Sequence, residues 1–276
     1  MFLVENIFYF KNPGEFGCIQ IEKNMKKPVL FFMIMLNGFI LNVYAQEKPD
    51  KTGLDPGFIT GFTYGYYLPA GDLSDRFGSN FKISIAPSYY FHNSNFFVGI
   101  EGSYIFGSEV KEDIISNLLL YDGNVVGIDK SFVTPILYER GVLAGVNAGK
   151  IIPFGSHKRT GLKLELGIQK WWHWIHFQKE RDQIPQLEGE YKKGYDRLTG
   201  GFAVKGFAGY QYLARKSRIN FYIGMETYAG FTSNLRRYNY NTASVEDKRR
   251  NDIMTGVVAG WILPLYIVKH PEEIYY

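Results

Sequence analysis

The sequence predicts an all-β fold: an eight-stranded antiparallel transmembrane β-barrel with short turns at one end and long loops at the other. Three observations carry this. After residue 56, apolar and aromatic residues recur with period two in eight runs of roughly ten residues. The connections between the runs alternate short and long. Aromatic residues make up 17% of the 276-residue chain, with 21 Tyr and 22 Phe beside 30 Gly, a mixture suited to rings at a lipid–water boundary and close packing inside a lumen. The mean hydropathy of -0.17 is consistent with a wall whose polar inner face cancels its apolar outer one.

In chain order, residues 1–24 contain Glu5, Glu15 and Glu22 and read as an extension ahead of a translation start at Met25. Residues 25–45 read as a signal peptide. Lys26 and Lys27 form its positive start, Val29 to Leu41 an apolar core of about 13 residues, and Val43 and Ala45 the small positions before a mature start at Gln46. The core is short for a spanning helix, which takes about 20 residues; a buried helix or membrane anchor is the alternative. The single cysteine, Cys18, lies upstream. The mature chain therefore has no disulfide, thiolate nucleophile or Cys-ligated metal. The net charge of +4 is spread along the chain and leaves no nucleic-acid footprint. A polar periplasmic linker spans 46–56, the barrel 57–267, and a C-terminal tail 268–276.

The first run sets Phe58, Thr60, Phe62, Tyr64 and Tyr66 against Ile59, Gly61, Thr63 and Gly65. In the second, Phe81, Ile83, Ile85, Tyr89 and Phe91 oppose Lys82, Ser84, Ala86 and Ser88, with Pro87 predicting a bulge. The third sets Phe96, Val98, Ile100, Tyr104 and Phe106 against Gly99, Glu101 and Ser103. A fourth, near Leu137 to Ile152, is weaker and rich in small residues. In the fifth, Leu162, Leu164, Leu166 and Ile168 oppose Lys163, Glu165, Gly167 and Gln169. The sixth has Val204, Ala208, Tyr210 and Tyr212 opposite Lys205, Gly209 and Gln211, and the seventh Phe221, Ile223, Met225, Ala229 and Phe231 opposite Tyr222, Gly224, Glu226 and Gly230. The last places Ile253, Val257, Ala259, Trp261 and Leu263 against Gly256 and Gly260.

His92–Asn95, Gly155–Thr160 and Arg215–Arg218 are brief and turn-like. Pro69–Asn80, Ser108–Ser131, Arg181–Gly200 and Asn241–Arg250 are longer. Short periplasmic turns, long outer loops and both termini inside are the arrangement of an outer-membrane barrel. Phe91, Phe96, Tyr212 and Phe221 flank the short turns, and Tyr66, Tyr104, Trp174 and Phe231 lie near the opposite strand ends, predicting two girdles.

Three features are candidate sites. Lys82, Lys163 and Lys205 share the inward face with Glu101, Glu165 and Glu226. A barrel of eight strands is just wide enough for side chains to fill, so these charges predict a salt-bridged plug; a proton or ion path is the sharper alternative. Trp171, Trp172, Trp174 and Trp261 predict an interfacial belt. His173 and His176 have opposite parity on a strand and cannot jointly hold a metal there. A lipid-modifying site at this height is the alternative, but no spacing singles out a triad. Finally, the second outer loop holds Ile114, Ile115, Leu118, Leu119, Leu120, Tyr121, Val125, Val126 and Ile128. It is too apolar for a freely solvated loop and predicts a partner surface, unless it packs on the next loop, Gln183–Gly201.

The Ala45–Gln46 junction, PQLEGEYKKGYDRLTGG, GYQYLARKSRINFYIGMETYAGF and GWILPLY resemble the uncharacterised small outer-membrane barrels of Bacteroidota over nearly all of the mature chain. The resemblance implies a non-enzymatic subunit of an envelope machine for outer-membrane protein assembly or type IX secretion. The expectation is therefore an exported, non-enzymatic barrel without cofactor, in contact with outer-membrane lipid and docking proteins through its outer loops. A lipid-modifying enzyme, or a small pore, is the alternative.

Overall fold

The computed structural model describes residues 57–91, 94–127, 130, 132–133, 135–154, 160–178, 184, 187, 189–213, 220–236 and 238–265. The signal peptide, linker, C-terminal tail and Ile128 lie outside them. The strands are β1 (Gly57–Gly71), β2 (Asn80–Tyr90), β3 (Phe96–Gly107), β4 (Val125–Val126), β5 (Phe132–Val133), β6 (Leu137–Pro153), β7 (Gly161–Phe177), β8 (Thr199–Tyr212), β9 (Phe221–Asn234) and β10 (Arg249–Leu265). One short helix, α1 (Asp72–Arg76), follows β1. Eight strands close into an antiparallel barrel in the order β1-β10-β9-β8-β7-β6-β3-β2, and β4 and β5 form a separate small hairpin.

Period two dictates this wall. Phe62, Tyr64, Tyr66, Ile83, Ile85, Val98 and Ile100 point outward, while their odd or even counterparts turn inward and are buried. The weak fourth run is a full strand, β6, whose inward glycines admit neighbouring backbones and rings: a Cβ at Gly141 would meet the Trp172 carbonyl at 3.1 Å. The outer face is apolar over its middle. Leu166 is 69%, Ile100 61% and Phe202 61% exposed, far beyond what a water-facing wall tolerates as a continuous patch. Rings flank that band. Tyr212 and Phe221 meet with tilted rings at 5.6 Å near the short turns. At the other end Phe81 contacts Tyr64, Tyr66 and Phe106 at 5.7, 5.3 and 5.9 Å.

The connections alternate as the sequence predicts: 91–95, 154–160 and 213–220 are short, and 72–79, 108–136, 178–198 and 235–248 are long. The last loop starts and ends earlier than the expected 241–250, because β9 ends at Asn234 and β10 already begins at Arg249. The predicted bulge at Pro87 is absent. Ile85 pairs with Gly102 and Ser88 with Gly99, the same register on both sides. Proline removes a ladder donor without inserting a residue. Gly71 ends β1 at φ 61°, a left-handed conformation that a Cβ disfavours. This turns the chain sharply into α1 and over the barrel mouth.

Candidate functional site: a plugged lumen under a loop lid

The interior is stacked in layers. Nearest the short turns, Tyr90 lies on Phe97 at 4.9 Å and Phe207 meets Tyr222 edge-on at 5.7 Å. Lys163 sets its ammonium 4.6 Å from the Tyr222 ring and 4.9 Å from Phe97, where ring faces attract a cation.

Above this floor the six predicted lumen charges meet. Lys205 on β8 donates to Glu101 at 2.5 Å, Glu165 at 2.7 Å and Glu226 at 2.8 Å. Lys82 pairs with Glu226 at 2.7 Å and Glu101 at 3.1 Å, and Lys163 with Glu165 at 3.0 Å. All six are buried. Three positive and three negative charges sum to zero, and neutral groups take the remaining bonding capacity. Asn147 donates to Glu101 at 2.8 Å and Gln169 to Asn147 at 2.6 Å. Tyr67 donates to Glu226, Tyr228 to Glu101 at 3.3 Å, and Lys82 to the Tyr228 hydroxyl at 2.5 Å. Such completeness is what makes buried charge tolerable.

The next layer holds Trp171, His173, Thr232 and Asp252. Trp171 does not join an interfacial belt: it shares parity with His173, not with Trp172 and Trp174, and is fully buried in the lumen. It packs 6.4 Å from Tyr228 and 5.5 Å from His173. Trp172 and Trp174 face outward, and Trp261 faces outward beside Phe221 at the short-turn end. His173 Nε2 lies 2.9 Å from Asp252 Oδ2, and Thr232 donates to the same carboxylate. Near the outer end of the wall, Asn80 donates to Glu139 at 3.0 Å.

Four loops close the mouth. Arg76 at the end of α1 is 1% exposed. It pairs with Glu112 of the second loop at 2.5 Å and Glu246 of the fourth at 3.8 Å, and donates to Thr199 at 2.7 Å and the Arg197 carbonyl at 3.2 Å. Arg197 of the third loop reaches Glu112 at 2.7 Å and the fourth-loop Asn241 at 2.5 Å. Burial opposes the charge on Glu112, yet the Arg76 and Arg197 guanidiniums outweigh it and hold the carboxyl below its ordinary value. Leu73 and Phe77 are buried beneath, Phe77 edge-on to His173 at 5.7 Å.

The predicted partner surface divides. Ile114, Ile115 and Val125 are buried in the lid, with Leu118 and Leu119 packed against that core. They are not surface, because the lid needs an apolar underside of its own. Leu120, Tyr121 and Val126 are exposed, joined by Phe132 of β5 and Ile136. Residue chemistry alone gave no sign of Arg76, Glu112 or Arg197. Tyr67, Glu139 and Asp252 were readable as inward by strand parity, though their partners were not.

No protein-family model matches the chain, and no curated protein sequence matches it. Among solved structures it is similar to Ail, the attachment invasion locus protein of Yersinia pestis, in complex with the heparin analogue sucrose octasulfate. That likeness has 11% identity, covers 76% of this chain and 100% of that one, and has a TM-score of 0.35. It is also similar to outer membrane protein OprG from Pseudomonas aeruginosa, with 10% identity, coverage of 78% and 99%, and a TM-score of 0.34. Outer membrane protein AlkL is similar at 14% identity, with coverage of 82% and 99% and a TM-score of 0.39. The closed eight-stranded fold stands on this chain's own strand pairing.

Proposed function

We propose that this chain is an exported barrel of the bacterial outer membrane, non-enzymatic, serving as an accessory or structural subunit that docks protein partners through its outer loops. The observation that carries the reading is the lid. Arg76, Arg197, Glu112 and Glu246 tie four loops into one ordered surface, which presents Leu120, Tyr121, Val126 and Phe132 outward. An apolar tip on an ordered platform is the form of a docking surface rather than of a solvated loop. The continuous apolar wall between two aromatic girdles supports the membrane location. The resemblance to Bacteroidota barrels suggests outer-membrane protein assembly or type IX secretion as the machine.

A pore is the weaker reading, since the charge layer fills the lumen. A lipid-modifying enzyme is weaker too. The His173–Asp252 pair lies inside the barrel, away from bilayer lipid, and Thr232 bonds to the carboxylate rather than to the imidazole. A hydroxyl nucleophile needs the base itself.

Native gels of gently solubilised outer membranes test the proposal. The wild-type chain should migrate in a larger complex. Replacing Leu120, Tyr121 and Phe132 together by Ser should release it while leaving its heat-dependent gel shift intact. A wild-type chain that always runs as a free monomer would sink the idea.

A further inference from the structure

Charges on the barrel wall are sorted by face. Among the described strand residues, every carboxylate (Glu101, Glu139, Glu165, Glu226 and Asp252) is buried inward. The outward-facing charges are all cations: Arg140, Lys150, Lys170 and Arg249. Two of these sit on neighbouring strands near the outer end. On β7 the outward residues Leu162, Leu164, Leu166 and Ile168 give way to Lys170, Trp172 and Trp174. Lys170 stands nine residues above Gly161, roughly 23 Å in height for a strand tilted about 40°. An apolar belt is about 25 Å tall, so Lys170 marks its upper edge. Arg140 on β6 pairs with Trp174 in register, on the order of 13 Å farther out along the strand.

Neither cation has a carboxylate within ion-pairing distance among the described residues. Each is instead held against the wall by rings. Lys170 lies 4.4 Å from the Phe202 ring and 5.8 Å from Trp172. Arg140 lies 5.0 Å from the Tyr138 ring and donates to the Glu139 carbonyl at 2.7 Å. A cation that serves only solubility extends its head into water; these two keep their heads against rings of the outer wall, Lys170 at the edge of the belt and Arg140 beyond it, with donors to spare. The complement is an anion that is itself anchored in the lipid.

We infer that the outer wall of β6–β8 binds an anionic phosphorylated lipid of the outer leaflet. Lys170 takes phosphate oxygens at the edge of the belt and Arg140 takes anionic headgroup oxygens farther out, Trp172 and Trp174 lie at the boundary of headgroup and chains, and the chains run down over Val142, Ala144, Leu166 and Ile168. The inference rests on the outer-membrane reading above.

The full mature chain is folded into phosphatidylcholine bilayer discs carrying a minor fraction of phosphatidylglycerol or of lipid A. Lipid retained after delipidation is then read by native mass spectrometry. Wild type should keep the anionic lipid over phosphatidylcholine. Replacing both cations, R140Q/K170Q, should cut that retention about twenty-five-fold, each juxtamembrane cation giving roughly fivefold. The same variant should keep its heat-dependent gel shift, which shows that the barrel still folds. Added inorganic phosphate should not compete, because the lipid chains supply part of the binding. Equal retention by wild type and variant, or competition by free phosphate, would overturn the lipid site while leaving the membrane reading intact. Failure of the folded wild type to enter any bilayer would overturn both.

Discussion

Replacing Lys205 by methionine keeps most of the side-chain length and removes one charge from the centre of the lumen. In the wild type that ammonium lies 2.5, 2.7 and 2.8 Å from three glutamates. Without it, Glu165 retains Lys163 at 3.0 Å, and Glu226 and Glu101 share Lys82 at 2.7 and 3.1 Å. Three carboxylates then face two ammonium groups in a buried layer. Breaking a buried pair by removing one partner costs ~3–5 kcal/mol, a factor of roughly 10² to nearly 10⁴ in the folding constant. Reversible urea unfolding in bilayers or micelles, followed by tryptophan fluorescence and the gel shift, measures it. The double variant K205M/E101Q removes one charge of each sign and should recover more than half of the loss. If K205M unfolds within about 0.5 kcal/mol of wild type, or the double variant loses the sum of its singles, the charges do not act as one neutral network.

Tyr67→Phe deletes a donor to the buried Glu226 carboxylate and should cost about 1.5–3 kcal/mol, the range for hydrogen bonds to charged groups, in the same unfolding measurement. Gly230→Ala would place a Cβ 2.7 Å from the Trp171 ring; overpacking of roughly 1–3 kcal/mol and a shifted Trp171 emission are expected, and an unchanged spectrum would show that the ring moves freely. Because Glu112 is held below its ordinary value of 4.5, its contribution to the lid is present above that pH and lost as pH falls through the folded value. Hydrogen-exchange protection factors across residues 108–118, corrected for the intrinsic rate at each pH, should therefore fall in acid for wild type, and E112Q should show low protection that is nearly independent of pH. Protease added outside intact cells should cut within the four long connections, and cleavage near His92–Asn95 would reverse the orientation.

The wall was legible because a half-lipid, half-lumen strand must alternate, so period two marks both the strands and the inward identity of Lys82, Glu101, Lys163, Glu165, Lys205 and Glu226. The same rule, applied one residue at a time, places Trp171 inside. Reading Trp171 to Trp174 as one aromatic cluster obscured it, because cluster chemistry ignores parity. Pro87 suggested a bulge because proline and broken ladders coincide, yet a ladder can lose a donor and keep its register. The lid was invisible for a different reason. Arg76, Glu112, Arg197 and Glu246 are ordinary surface residues by type, and only the closure of the barrel brings four distant loops to one point. The apolar second loop was noticed, but sequence alone does not separate its underside, Ile114 and Ile115, from its outward tip.

The sorting of charges in the central layer also bears on assembly. β2 and β3, joined by a short turn, contribute Lys82 and Glu101, which pair directly; β8 and β9 contribute Lys205 and Glu226, again a direct pair. The β6–β7 hairpin brings Lys163 and Glu165, which pair along one strand. Each hairpin closed by a short turn thus carries one lysine and one glutamate to that layer and can neutralise itself there before its neighbours arrive. The contact of Lys205 to Glu165 forms when β7 pairs with β8, and the contacts across the lumen, Lys205 to Glu101 and Lys82 to Glu226, form only when the sheet closes. Local pairing leaves each hairpin close to neutral at that layer, and closure joins the separate pairs into one network.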